Sequence, residues 1–261
     1  MASDWQGVSL GFAEAPEEFR GPTQRARFVT EAWAASSMFC PSCQSDRLEP
    51  FLANRPVADL YCPSCEEQFE LKSKKGPFAK KLANGAYRTK IDRLQSDTSP
   101  NLILLQYSQP RQAVVSVTAI PKRFFVPSIV EKRKPLAATA RRAGWVGSNI
   151  LLDRIPKAGR VPLIFEGQVR PKALIREDWK RTAFLDEKPL AGRGWLVEVM
   201  ACVDRIGRES FALEDVYRQE ATLQALYPGN NNVRPKIRQQ LQVLRDEGYL
   251  EFLGDGEYRL L

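Results

Sequence analysis

No histidine occurs among the 261 residues. Its absence excludes a Ser-His-Asp triad, a Cys-His nucleophile pair, an HEXXH zinc protease and a histidine-metal nuclease finger. Acid–base or metal chemistry must therefore come from carboxylates, Lys, Tyr or Cys. Nor is there a run of about 18 consecutive apolar residues, the length that spans a bilayer. The opening stretch MASDWQGVSLGFAEAPEEFRG is acidic and lacks both a basic start and an apolar segment. A secretory signal is not expected, and stable disulfides are not expected with it. What remains is an ordinary globular mixture, 43% apolar and 27% charged with a net charge of +8. The length suits one large domain or two unequal ones.

Four of the five cysteines form two identical tetrapeptides, Cys40-Pro-Ser-Cys43 and Cys62-Pro-Ser-Cys65, with 18 residues between them. This is the spacing of a four-thiolate zinc site, in which each short turn offers two sulfurs to one side of a tetrahedron. A single CxxC also suits a redox pair, but the duplication favours metal. Four protein ligands leave no open position, so the zinc is expected to be structural. Cys202, in the apolar run LVEVMACV, reads as a small core residue.

Around the second tetrapeptide, Val57 to Tyr61 and Gln68 to Lys72 are predicted strands of one hairpin. Glu70 and Lys72 are two apart and so share a face. Asp59 lies on the facing strand, with ten residues between it and Glu70. Two carboxylates and an ammonium on one face suit a hard divalent cation such as Mg²⁺ beside a group that orients water. On these three residues alone, a solvated charged strand edge competes with that site.

Asp59 followed by Glu70-Leu71-Lys72 resembles the PD-(D/E)xK nuclease pattern, with Ala58 where that loose motif has Pro. The segments RARFVTEAWAASSMFCPSC, NRPVADLYCPSCEEQFELKSKKG, KPLAATARRAGWVG and VRPKIRQQLQVLRDEGYLEF are similar to the DpnI-like family of methyl-directed restriction endonucleases. The resemblance begins near Gln24 and runs to the C-terminus. It implies an α/β (α+β) PD-(D/E)xK core with a four-cysteine zinc site, followed by a C-terminal winged helix, and a bacterial cytoplasmic setting. The implied activity is Mg²⁺-dependent hydrolysis of double-stranded DNA at GATC carrying methylated adenine, blunt between adenine and thymine. Asp59 and Glu70 would hold magnesium, with the Leu71 carbonyl as a further ligand and Lys72 orienting the attacking water. Glu31, on a predicted helix, reads as a solvated surface acid, although early-helix acids help to bind metal in some related nucleases.

Lys72 to Arg93 contains eight Lys or Arg residues, and Lys122 to Arg142 contains seven against one acid, Glu131. Beside a phosphodiester site, such clusters suit DNA phosphates, which give affinity and register without sequence choice. In Arg141-Arg142-Ala-Gly-Trp145-Val-Gly147 the Trp is expected on a loop. A loop Trp that merely covers the core fits as well, and the resemblance places it against the methylated adenine. Two methyl groups at about 0.8 kcal/mol each are too little for tight discrimination, so a further element such as a clash, a bend or a second reader is needed.

Trp179 to Arg193 reads as a connector. Beyond it, Gly194–Ile206, Leu213–Tyr227 and about Val233–Glu247 are predicted helices, and Tyr249–Leu253 with Glu257–Leu261 a two-stranded wing. Domains are thus expected at 1–188 (catalytic) and 189–261 (winged helix). From Leu190 onward the chain carries 9 basic and 11 acidic residues, so DNA contact there must be local. Arg234, Lys236, Arg238 and Gln239 at the start of the third helix are the candidates. Winged helices also dock proteins; the resemblance decides for DNA. The chain is expected to act as a monomer with no membrane partner. The competing class is a non-catalytic zinc-ribbon and winged-helix regulator. A zinc-ribbon RNA-processing factor would need exposed aromatics on a basic sheet, which the sequence lacks.

Overall fold

A computed structural model describes residues 5–51 and 58–261. In chain order the elements are α1 (Pro22–Ser37), β1 (Glu49–Pro50), β2 (Leu60–Tyr61), β3 (Gln68–Lys75), β4 (Lys81–Ala86), α2 (Tyr87–Gln95), β5 (Asn101–Ser108), β6 (Ala113–Ile120), β7 (Val130–Lys132), β8 (Gly147–Leu151), β9 (Val161–Phe165), β10 (Gln168–Val169) and α3 (Lys172–Lys180). Then follow α4 (Leu190–Ile206), β11 (Ser210–Ala212), α5 (Leu213–Tyr217), α6 (Glu220–Leu226), α7 (Val233–Asp246), β12 (Leu250–Gly254) and β13 (Glu257–Leu260). Short 3₁₀ turns lie between them. By density of contacts the chain forms two units. The first comprises the segment ending at Ala79 with Ser99–Lys122 and Arg160–Lys180; the second comprises Lys80–Thr98, Arg123–Gly159 and Arg181–Leu261.

The first unit is a seven-stranded mixed sheet in the order β1-β2-β3-β5-β6-β9-β10, packed by α1 against β3 and by α3 against β9. The β5 sequence NLILLQYS is buried over its first five residues, and after Asn101 it is the continuous apolar run of a strand covered on both faces. Strand β3 runs antiparallel to β2 but parallel to β5, with Glu70 beside Leu102 and Lys72 beside Leu104. Pro22 opens α1 at a position where its missing N–H costs nothing. The acidic N-terminal stretch belongs to this unit: Trp5 is buried against Phe39, Trp33 Nε1 donates to the Ser9 carbonyl (2.8 Å), and the Val114 N–H donates to the Leu10 carbonyl (2.8 Å).

The second unit joins a small sheet, β4-β8-β7, to a winged helix-turn-helix of α4, α5, α6 and α7 with the three-stranded sheet β11-β13-β12. Helix α4 ends at Gly207, whose φ of +72° is the left-handed cap that a residue with a Cβ resists. Polar links tie α4 to earlier chain. Ser128 Oγ donates to Glu198 (2.6 Å), the Lys157 N–H donates to Asp204 (2.6 Å), and Arg193 pairs with Asp97 (3.2 Å). No helix among the described residues is long and apolar enough to cross a membrane.

Several local expectations change. Val57, with Arg55 and Pro56, lies outside the described residues, and β2 begins at Leu60. The segment Trp179–Arg193 is not a plain connector: Trp179 lies in the last turn of α3, buried near Phe69, and α4 starts at Leu190. The helix expected over Leu213–Tyr227 is two short ones, parted where the Gln219 side chain donates to the Cys202 carbonyl (2.7 Å). Three-residue β11 is too short for an alternating pattern to reveal.

Candidate active site and metal centre

The two CPSC turns converge. Cys40 Sγ lies 3.7 Å from Cys65 Sγ and Cys43 Sγ 3.5 Å from Cys62 Sγ, and all four sulfurs fall within 4.8 Å of one another. In a tetrahedral site with Zn–S near 2.3 Å the sulfurs stand about 3.8 Å apart, so this donor set fits zinc in both chemistry and size. Burial works to raise the Cys62 thiol, but N–H groups of Cys65 and Ser64 and the neighbouring thiols bring it down to about 7. Burial pushes the Cys40 thiol far up, an opposition that a bound cation would relieve. Helix α3 braces the first turn: Lys172 pairs with Asp46 (2.7 Å), Arg176 donates to Gln44 (3.0 Å) and to the Ser45 carbonyl (3.2 Å), and both cations lie over the Phe39 ring.

The second turn leads straight into β3. The Cys62 N–H donates to the Glu67 carbonyl (2.9 Å), and Leu60 pairs with Phe69 and Tyr61 with Gln68. Continuing that register by one residue sets Asp59 opposite Glu70. The Asp59 N–H donates to the Phe69 carbonyl (2.9 Å), and Asp59 Oδ2 accepts from the Leu71 N–H (2.7 Å). Lys72 Nζ is 2.6 Å from Glu70 Oε1.

Asp59, Glu70, Leu71 and Lys72 all line one groove of about 1570 Å³, together with Glu31, Arg20, Arg27, Lys74 and Lys75. Burial raises the Asp59 carboxyl above its ordinary range. The Leu71 N–H opposes that shift, the charges of Glu31 and Glu70 add to it, and Lys72 opposes it. Glu31 shares this groove while its side chain stays well exposed. It is paired with Arg27 (2.6 Å), lines the groove, and is felt by Asp59. Its place on an early predicted helix was the only sequence signal for it. Among the described residues the four cysteines are the one group of three or more ligand side chains near enough to share an ion; Glu31, Asp59 and Glu70 do not form a second.

The basic clusters divide. Lys74 and Lys75 line the groove, but Lys90 is buried over the Phe125 ring and Arg123 is buried in an ion pair with Asp186, so neither is presented to a polyanion. Trp145 is half-buried on a loop, with the Arg142 guanidinium 4.9 Å over its ring and Arg141 exposed. A Cβ on Gly147 would sit 2.8 Å from that ring, which explains the glycine. On α7, Arg234 pairs with Glu220 (2.7 Å) and lies over Tyr217, and Arg238 donates to the Tyr217 hydroxyl. Lys236 and Gln239 contact each other (2.7 Å).

The geometry thus defines a mixed α/β protein with a four-cysteine cluster that could hold a metal, a carboxylate-lined groove, and a C-terminal winged helix-turn-helix. The profile of the DpnI (Dam-replacing) family matches residues 12–188, and that of the Dam-replacing HTH domain matches residues 191–260. The chain belongs to this family. Membership carries the coarse activity, that of a methyl-directed restriction endonuclease with a DNA-binding C-terminal domain.

Proposed function

We propose that the protein is a Mg²⁺-dependent type II endonuclease. It hydrolyses double-stranded DNA at GATC sites bearing N6-methyladenine, between methyladenine and thymine, to leave blunt ends. Residues 1–188 carry a PD-(D/E)xK catalytic core with a structural zinc, and residues 189–261 are a second reader of the methylated site; one copy suffices. The observation that carries this reading is the meeting of Asp59, Glu70 and Lys72 in one groove, on a hairpin that the cysteine cage holds in register.

A donor set of carboxylates and a backbone carbonyl suits a hard cation. Asp59, Glu70 and the Leu71 carbonyl would hold magnesium, which when bound offsets charge on the phosphate and acidifies water. The chain's own residues do the rest. Lys72 orients the attacking water and steadies charge developing on the phosphoryl oxygens. The Leu71 N–H holds Asp59 in place, and Lys74, Lys75 and Arg27 hold the flanking phosphates. Arg141, Arg142 and Trp145 face the methylated step. On the winged helix, Lys236 and Gln239 are the proposed DNA contacts, while Arg234 and Arg238 are held against Glu220 and Tyr217 of their own domain.

Incubation of the protein and Mg²⁺ with adenine-methylated and unmethylated plasmid tests this. Blunt cutting of the methylated plasmid alone, at GATC, is expected. Cutting of both plasmids removes methyl direction, and cutting of neither leaves a non-catalytic regulator.

A further inference from the structure

The cysteine cage fixes β2 against β3, but the other side of β3 is a parallel pairing with β5. No tight turn can set that register, because parallel strands are joined only by long crossovers. A slip of one residue would turn Glu70 and Lys72 away from the groove. Something other than a hairpin must pin β3 to β5.

We propose that Asn101, acting with Glu67 and Lys122, is that pin, a positioning device that carries the rigidity of the second cysteine turn onto the strand bearing Glu70 and Lys72. Asn101 opens β5 and is 1% exposed. Its Nδ2 donates to Glu67 Oε2 (2.7 Å) and to the Gln68 carbonyl (3.0 Å), and its Oδ1 accepts from the Lys122 N–H (2.8 Å). Both amide hydrogens and the carbonyl are thus satisfied, as burial demands. Glu67 is the residue whose carbonyl accepts from the Cys62 N–H, and its other carboxylate oxygen pairs with Lys122 Nζ at 2.9 Å. One buried amide therefore joins the exit of the cysteine turn, the first residue of β3, the start of β5 and the chain just beyond β6. Only one register of β3 satisfies all of these bonds, and Glu70 and Lys72 follow two and four residues after Gln68.

Asn101→Asp in the full chain is nearly isosteric but sets an anion against the Glu67 carboxylate and the Gln68 carbonyl. Hydrogen exchange over Gln68–Ser73 is expected to quicken at least tenfold, while Lys172–Lys180 exchanges as before and the zinc content stays unchanged. The consequence for catalysis rests on the function proposed above. There, kcat on methylated plasmid should fall roughly 10- to 100-fold, the usual cost of losing an outer-shell partner, with KM within about twofold. Adding Glu67→Gln to that variant supplies an amide that can donate to the new carboxylate, and should restore part of the protection.

Unchanged exchange in β3, or acceleration spread evenly over the sheet, overturns the proposal. Should Asn101→Asp fail to fold, the milder Glu67→Gln with Lys122→Met keeps the test: localised loss of protection in β3 supports the pin, and none overturns it. Exchange needs no turnover, so a wild-type protein that cuts nothing would sink the nuclease reading and leave this one standing.

Discussion

The hairpin that carries Asp59, Glu70 and Lys72 and helix α7 both offer clustered charges, yet the fold treats them differently. In the hairpin, Asp59, Glu70 and Lys72 line an open groove, and their short contacts are to one another or to the hairpin backbone. On α7, Arg234 and Arg238 turn back onto Tyr217 and Glu220 of their own domain. The hairpin groups are poised for an outside ligand, whereas the α7 arginines already have an inside one. Burial, with the charges of Glu31 and Glu70, disfavours the Asp59 carboxylate, a state that a cation would relieve, whereas Arg234 is already paired with Glu220 and gains less from a phosphate.

The largest effect should come from the cage, since everything poised in the hairpin depends on it. Structural zinc in small domains contributes on the order of 10 kcal/mol. Cys62→Ser, or stripping zinc with a chelator, should lower Tm by more than about 10 °C and abolish cutting. Zinc content, near-ultraviolet dichroism and melting check this, and an unaltered melt after zinc loss would count against the cage.

Asp59 comes next, and here activity and stability should part. Its folded pKa is raised, so the ionised form is disfavoured by the fold. The stability linked to this group is present below its unfolded pKa and is lost as pH rises through the folded one. At about pH 7.5, above the carboxylate range, Asp59→Asn should therefore abolish cleavage while Tm holds or rises, with the Leu71 N–H still bonded to the new amide oxygen. The same shift means that in wild type the Mg²⁺ concentration for half-maximal rate climbs as pH falls toward the carboxylate range. A Tm loss of several degrees in Asp59→Asn would make the residue structural instead.

The contrast also marks what sequence alone could reveal. The second CPSC turn and the ExK lie on one hairpin and the first CPSC turn only 18 residues before it, so the cysteine pattern and the shared face of Glu70 and Lys72 were legible. The first and last helices and the wing of the C-terminal domain were legible too, from apolar periodicity and turn glycines. What stayed hidden depends on distant partners. Burial of Lys90 over Phe125, pairing of Arg123 with Asp186, and the role of Asn101 follow from chain that arrives from elsewhere. Glu31 faces the groove because α1 packs on β3, which nothing in its own neighbourhood states. At the split of α5 from α6 the Gln219 side chain is bonded twice to α4, donating to the Cys202 carbonyl and accepting from Arg205.

The smallest expected effect sharpens the comparison on α7 itself. If Arg234 is held by Glu220 and Tyr217, removing its charge should mainly loosen the domain. Lys236, whose side-chain contact is to Gln239 on the same helix, remains suited to a phosphate. Lys236→Gln should weaken binding to methylated duplex a few-fold and reduce the slope of log affinity against log salt by about 1, the signature of one lost phosphate contact. Arg234→Gln should leave that slope as it is and lower Tm slightly. Titrations of the two variants across a salt series, beside their melts, distinguish them. If Arg234→Gln took the larger toll on the slope, the pairing with Glu220 would be a resting contact that DNA displaces, and α7 would join the hairpin as a surface poised for an outside ligand.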